Sequence, residues 1–176
     1  VDWGDGTAQD VSTSSVSHTY TEGGTYEIKL GASISKFALS TFTNANPISL
    51  QQLNLATVTD MSSAFANRTT ITGSIPELPD SLQDGWMMFA GCTGLDGTLP
   101  AKLSENLTTG YEMFRGCKNL TGNVPEFGSK LISGVRMFLG CSGLTGNIPE
   151  LPSSLTNGES LFAGCTGLTG SIPELP

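Results

Sequence analysis

Apolar positions in this chain recur in blocks of about 24 residues, not with the period of a helix or a strand. Four blocks share one sentence: MFAGCTGLDGTLP, MFRGCKNLTGNVP, MFLGCSGLTGNIPELP and LFAGCTGLTGSIPELP. Their cysteines, Cys92, Cys117, Cys141 and Cys165, are spaced 25, 24 and 24 residues apart. A phenylalanine stands three residues ahead of each, at Phe89, Phe114, Phe138 and Phe162. An earlier copy has Phe65 with Arg68 in the cysteine slot, and a weaker one has Phe42 and Ile48. Leucine, glycine and proline keep the same clock, as in Leu95, Leu120, Leu144 and Leu168 or Pro76, Pro100, Pro125, Pro149 and Pro173.

A block this short cannot bury a core of its own, so neighbours must stack and share one. A helical repeat needs two segments with a 3.6-residue period, and glycine and proline return too often for that. The pattern therefore predicts a mostly β solenoid of about six coils, 23–25 residues each. Each coil is expected to hold one short parallel strand, on LTGSIP in preference to the segment leading into MFAGC. One coil has an extra residue between Pro100 and Leu107, which marks a loop. At the N-terminus, Asp5-Gly6 reads as a hairpin turn and the alternation in TYEIKL as a half-buried strand. The expected division is residues 1–37 as an N-terminal β cap and 38–176 as the solenoid.

Composition sharpens this picture. Charged residues are 14% of the chain, against about 25% in an average soluble domain, so its surface is chiefly Ser, Thr, Asn and Gly. A net charge of −8, with eight scattered cations, gives no electrostatic footprint for nucleic acid. No apolar run nears 18 residues, so no membrane insertion is expected of this fragment. The chain opens at Val1 inside an apparent strand and stops at Pro176 within a motif. It is read as a segment of a longer array, and the lack of a leader then says nothing.

VTDMSSAF at 58–65, preceded by LQQLNLA, and the MF-x-G-C-x-x-L core at 88–95, 113–120, 137–144 and 161–168 resemble bacterial surface leucine-rich repeats of the BspA-like kind. LTGxIP also looks like the plant-type leucine-rich repeat. There, however, Asn or Cys precedes Leu by two residues, and here by three. VDWGDGT, SHTY and GGTYEIKL resemble half of a PKD-like sandwich. The resemblances imply a leucine-rich-repeat-like solenoid capped by a partial PKD-like motif. They further imply an extracellular, cell-surface protein.

The inventory of reactive groups speaks against an enzyme, and no catalytic residue is assigned. The single histidine, His18, lies within SHTY, where the resemblance implies a structural role. Four equivalent cysteines in coils about 4.8 Å apart would span about 14 Å, too far to close on one zinc ion with Zn–S bonds near 2.3 Å. Equivalent side chains also project in parallel, which disfavours disulfides, so buried reduced thiols are expected. No metal or cofactor is expected. Asp2 and Asp5 either stabilise a turn or touch Ca²⁺. Sequons at Asn67, Asn106 and Asn119 are read as chance.

Two candidate surfaces remain. Glu77, Glu126, Glu150 and Glu174 form an acidic column, read either as a solvated edge or as a contact for a basic partner. The columns Ser62–Trp86–Tyr111–Val135–Glu159 and Ser63–Met87–Glu112–Arg136–Ser160 vary most. Trp86, Met87, Tyr111, Glu112 and Arg136 are therefore the candidate binding surface, since Trp, Tyr and Arg are enriched in hot spots. The alternative is that Trp86 and Tyr111 cover the edge of the core. The expected function is adhesion or protein binding through the repeat surface, with a protein or glycan partner on a host or neighbouring cell. A structural spacer and a glycan-binding module are the alternatives.

Overall fold

The structure, a computed structural model, describes residues 2–9, 35–36, 48–49, 57–171 and 173. The chain divides into two compact units, Val1–Ile34 and Ser35–Pro176. His18, Phe42, the TYEIKL segment and Glu174 lie outside the described residues.

The described part of the first unit is a tight turn. Asp2 and Ala8 form an antiparallel bridge, and Trp3 N donates to Thr7 O at 3.0 Å. Asp2 Oδ1 accepts from Gly4 N at 2.9 Å, and Asp5 Oδ1 accepts from Thr7 N at 3.0 Å. Both carboxylates thus hold turn amides that have no ladder partner.

Secondary structure in the second unit overturns the expectation of a mostly β, leucine-rich-repeat-like solenoid with a strand in each coil. Among the described residues, regular strand is limited to four two-residue pieces, β1 (Ile48–Ser49), β2 (Ile71–Thr72), β3 (Gly146–Asn147) and β4 (Leu168–Thr169). They form two separate parallel pairs, β1 with β2 and β3 with β4. There is no helix among the described residues. Of the expected β cap, the described residues show only the Asp2–Ala8 bridge.

Turns do the work assigned to strands. In the segment 85–92, alternate amides serve two purposes. Gly85, Met87, Phe89 and Gly91 donate to Thr109, Tyr111, Met113 and Arg115 carbonyls of the next repeat, at 2.7–3.0 Å. Met88, Ala90 and Cys92 donate three residues back, to Gly85, Met87 and Phe89, at 3.0–3.1 Å. The same alternation recurs in the segments beginning at Gly110 and Gly134. In 85–92 every amide is satisfied, Trp86 N by the Asp84 carboxylate, as a buried backbone requires. The local bonds curl the chain, however, and break the extended geometry of a strand. The curl needs left-handed residues: Met87 has φ 50° and Gly91 φ 72°. Single parallel bridges, Lys36–Asp60–Asp84–Thr109–Ser133–Asn157, run alongside these turns from repeat to repeat.

The core is a set of like-on-like ladders. Phe65, Phe89, Phe114, Phe138 and Phe162 stack with centroids 5.0–5.8 Å apart and planes within 13°. Each pair adds about 0.5–1.5 kcal/mol beyond its buried area. Cys92, Cys117, Cys141 and Cys165 are free, buried thiols. Each Sγ donates to the phenylalanine carbonyl of the repeat before, at 2.9–3.1 Å. Cysteine fits this slot as a small hydrophobe with one weak donor. Gly110 leaves space that the Met137 side chain fills, and a Cβ there would overlap the Met137 methyl.

The extra residue between Pro100 and Leu107 sits in a tied segment. Ser104 is buried, with its Oγ donating to Asp80 O at 3.0 Å and Leu82 O at 2.9 Å. Lys102 pairs with Glu105, which accepts Ser129 N at 2.9 Å.

Candidate functional site

The two variable columns lie on the curled segment, one residue apart, and they differ in what varies. Ser63, Met87, Glu112, Arg136 and Ser160 all hold φ between 50° and 56°. A left-handed conformation costs an L-residue about 1–2 kcal/mol, and β-branched residues suffer most. None of the five is β-branched. Their identities vary while their backbone does not.

The neighbouring column presents the aromatic pair. Asp84 Oδ1 accepts from Trp86 N at 2.8 Å and fixes the start of the curl, as Asp60 does for Ser62 at 2.8 Å. Trp86 is 42% exposed and stacks on the half-buried Tyr111, with centroids 6.2 Å apart and planes 17° apart. Val135, next in the column, is buried. Among the described residues, Trp86 and Ile132 (50% exposed) are the large apolar side chains left open.

Beyond the rings lies an ion network. Glu112 is only 8% exposed. Arg115 Nη1 approaches it at 3.4 Å and Arg136 Nη1 at 3.6 Å. Arg136 Nη2 also reaches Glu159 at 3.1 Å. The structure thus brings Trp86, Tyr111, Glu112 and Arg136 together across three repeats. Arg136 is committed to two carboxylates, Glu112 and Glu159. Met87 is half-buried beside Trp86.

Sequence reasoning missed the cluster at the other end of the column. Lys36 Nζ donates to Asp60 Oδ2 at 2.8 Å and Ser62 Oγ at 2.7 Å. Partial burial pushes the Asp60 carboxyl up, but the bonds from Lys36 and Ser62 outweigh it and hold it below its usual range. The available signal was the Asp-x-Ser and Asp-x-Trp spacing at 60–62 and 84–86, which is an Asx-turn pattern.

The acidic column lies elsewhere. Glu77, Glu126 and Glu150 are exposed. Glu126 pairs its backbone with Lys102 in a parallel bridge. Beside it, a shallow groove of about 540 Å³ is floored by Pro100, Pro125 and Pro149 and edged by Asn123 and Asn147. No three His, Cys, Asp or Glu side chains converge as a ligand set among the described residues.

Fold and surface together define a repeat protein whose backbone joins each repeat to the next and whose varied side chains collect on one face. The chain belongs to the family described as "Mycoplasma protein of unknown function, DUF285", a bacterial family that matches residues 33–150 and again 79–174. The two overlapping matches start about two repeat lengths apart, as a repeat family allows. No curated protein and no solved structure matches the chain.

Proposed function

We propose that this chain is a non-enzymatic recognition module of a bacterial cell surface, adhering to its partner through the face that bears Trp86, Tyr111, Glu112 and Arg136. The observation behind this reading is Trp86, a large aromatic left 42% exposed in a chain whose other repeated aromatics stack in the core. Such anchors, set among charged neighbours that fix orientation, are the usual make-up of a binding hot spot. The family membership and the likeness of VTDMSSAF and MF-x-G-C-x-x-L to BspA-like surface repeats support the location. The PKD-like N-terminal motifs fit the same setting.

The test is a mixed array of extracellular proteins and glycans, probed with the chain and with a Trp86→Ala, Tyr111→Ala, Arg136→Ala triple variant. Binding to any feature that falls at least tenfold in the variant supports the reading. Silence across the array overturns it in favour of a structural spacer.

A further inference from the structure

The Trp86 ring is covered unequally, and the uncovered side has a chemistry of its own. Tyr111 packs against one face of the indole. The column neighbour on the other side is Ser62, whose repeat pairs with that of Trp86 through Ser63 N and Trp86 O at 2.7 Å. A serine side chain is too short to cover an indole, and Trp86 as a whole is 42% exposed. Next to that open face stands the Lys36–Asp60–Ser62 cluster, with Asp84 at the base of the ring. We propose that this open face is a binding platform for a glycan, specifically one that presents a neutral pyranose. The proposal rests on the reading that this surface is a recognition face, and it names the ligand class.

Three features select that ligand. A pyranose presents one side of axial C–H groups, weakly positive, which suit the negative face of an aromatic ring. Its hydroxyls need donors and acceptors at the rim of the ring. The Lys36 ammonium uses two of its three hydrogens on Asp60 and Ser62 and retains one to donate. The carboxylates of Asp60 and Asp84 are held in fixed orientation by backbone amides, so the rim is ordered before a ligand arrives. Charge then decides among sugars. Two carboxylates against one ammonium, in a chain of net charge −8, repel sialylated or sulfated glycans and admit neutral ones.

The column itself supplies a discriminating variant. Its positions hold Ser, Trp, Tyr, Val and Glu in successive repeats, so a tyrosine at position 62 is a residue this column already carries, and it also removes the Ser62 Oγ that accepts from Lys36. Ser62→Tyr would lay a second ring over the open face and leave Trp86 in place. The experiment probes neutral, sialylated and sulfated oligosaccharides together with a protein panel. It uses the full chain and the Trp86→Ala, Trp86→Phe, Ser62→Tyr and Lys118→Gln variants, each checked for an unchanged melting transition. The expected result is binding to at least one neutral oligosaccharide, falling at least tenfold in Trp86→Ala and Ser62→Tyr, less in Trp86→Phe, and unchanged in Lys118→Gln. Neutral-sugar binding that survives Trp86→Ala and Ser62→Tyr overturns the proposal, as does binding of charged glycans alone. Silence from the glycans beside Trp86-dependent binding to a protein overturns the glycan assignment and leaves the recognition face standing. Silence from both panels overturns both.

Discussion

Ser63, Met87, Glu112, Arg136 and Ser160 show how a position can be variable in chemistry and rigid in geometry. Their shared left-handed backbone makes a clean prediction. Ser63→Gly removes the Cβ penalty at φ 56° and should stabilise the chain by about 1 kcal/mol, whereas Ser63→Val should destabilise it by about 1–2 kcal/mol. Urea midpoints of the two variants check both signs. The thiols make a second prediction. Burial pushes Cys92 up to about 11 and Cys141 to about 12, from an ordinary value of 9.0. Burial, and then the neighbouring thiols, raise Cys117 further. Between pH 9 and the folded values, the unfolded chain has released thiol protons that the folded chain retains. Stability is therefore unaffected by these groups below about pH 9 and falls as pH rises beyond it. Denaturant midpoints at pH 8 and pH 10 should show the drop, and Cys92→Ala should make it shallower. An alkylating reagent at pH 8 should label the thiols only as the chain unfolds.

At the scale of the element, the curled segment is the part of the structure hardest to read from sequence. The Phe, Cys and Leu columns were legible because a ladder demands the same residue at each step, and the structure stacks those residues against one another. Among the described residues, the strands expected on the repeats come to four pairs of residues. Periodicity reports which side chains share a core. It does not report whether the backbone between them is extended or curled, and the left-handed residue that decides this is Ser in one repeat and Met or Arg in another. Likewise Trp86, Tyr111, Glu112 and Arg136 could be named from their variability, whereas the Lys36–Asp60–Ser62 cluster joins residues whose proximity only the stacking reveals. Glycine marks a further constraint between elements. Gly110→Ala forces a methyl into the Met137 side chain and should cost about 1–3 kcal/mol. Gly158→Ala, whose Cβ would stand 3.6 Å from its nearest neighbour, should be close to neutral. Thermal melts of the two variants, side by side, measure the difference.

For the whole molecule, hydrogen bonding and regular secondary structure have come apart. Inter-repeat amide bonds run through the curled segments from Met61 to Gly140, yet few residues count as strand and none as helix among those described. Residues 57–171 should accordingly contribute neither a helical double minimum nor a deep strand minimum near 218 nm to the far-UV circular dichroism, while the melt remains cooperative. A strong signal of either kind would contradict the turn-built backbone. The same division of amides also has a mechanical meaning. In the curled segments, every second amide is spent within its own repeat, so a repeat detached from its neighbour still retains local turns and resists fraying from inside. Under tension, repeats should come away one at a time, each later yielding roughly 80 Å of chain at about 3.4 Å per residue. A tether that lengthens in discrete steps dissipates sudden load where a single rigid joint would snap.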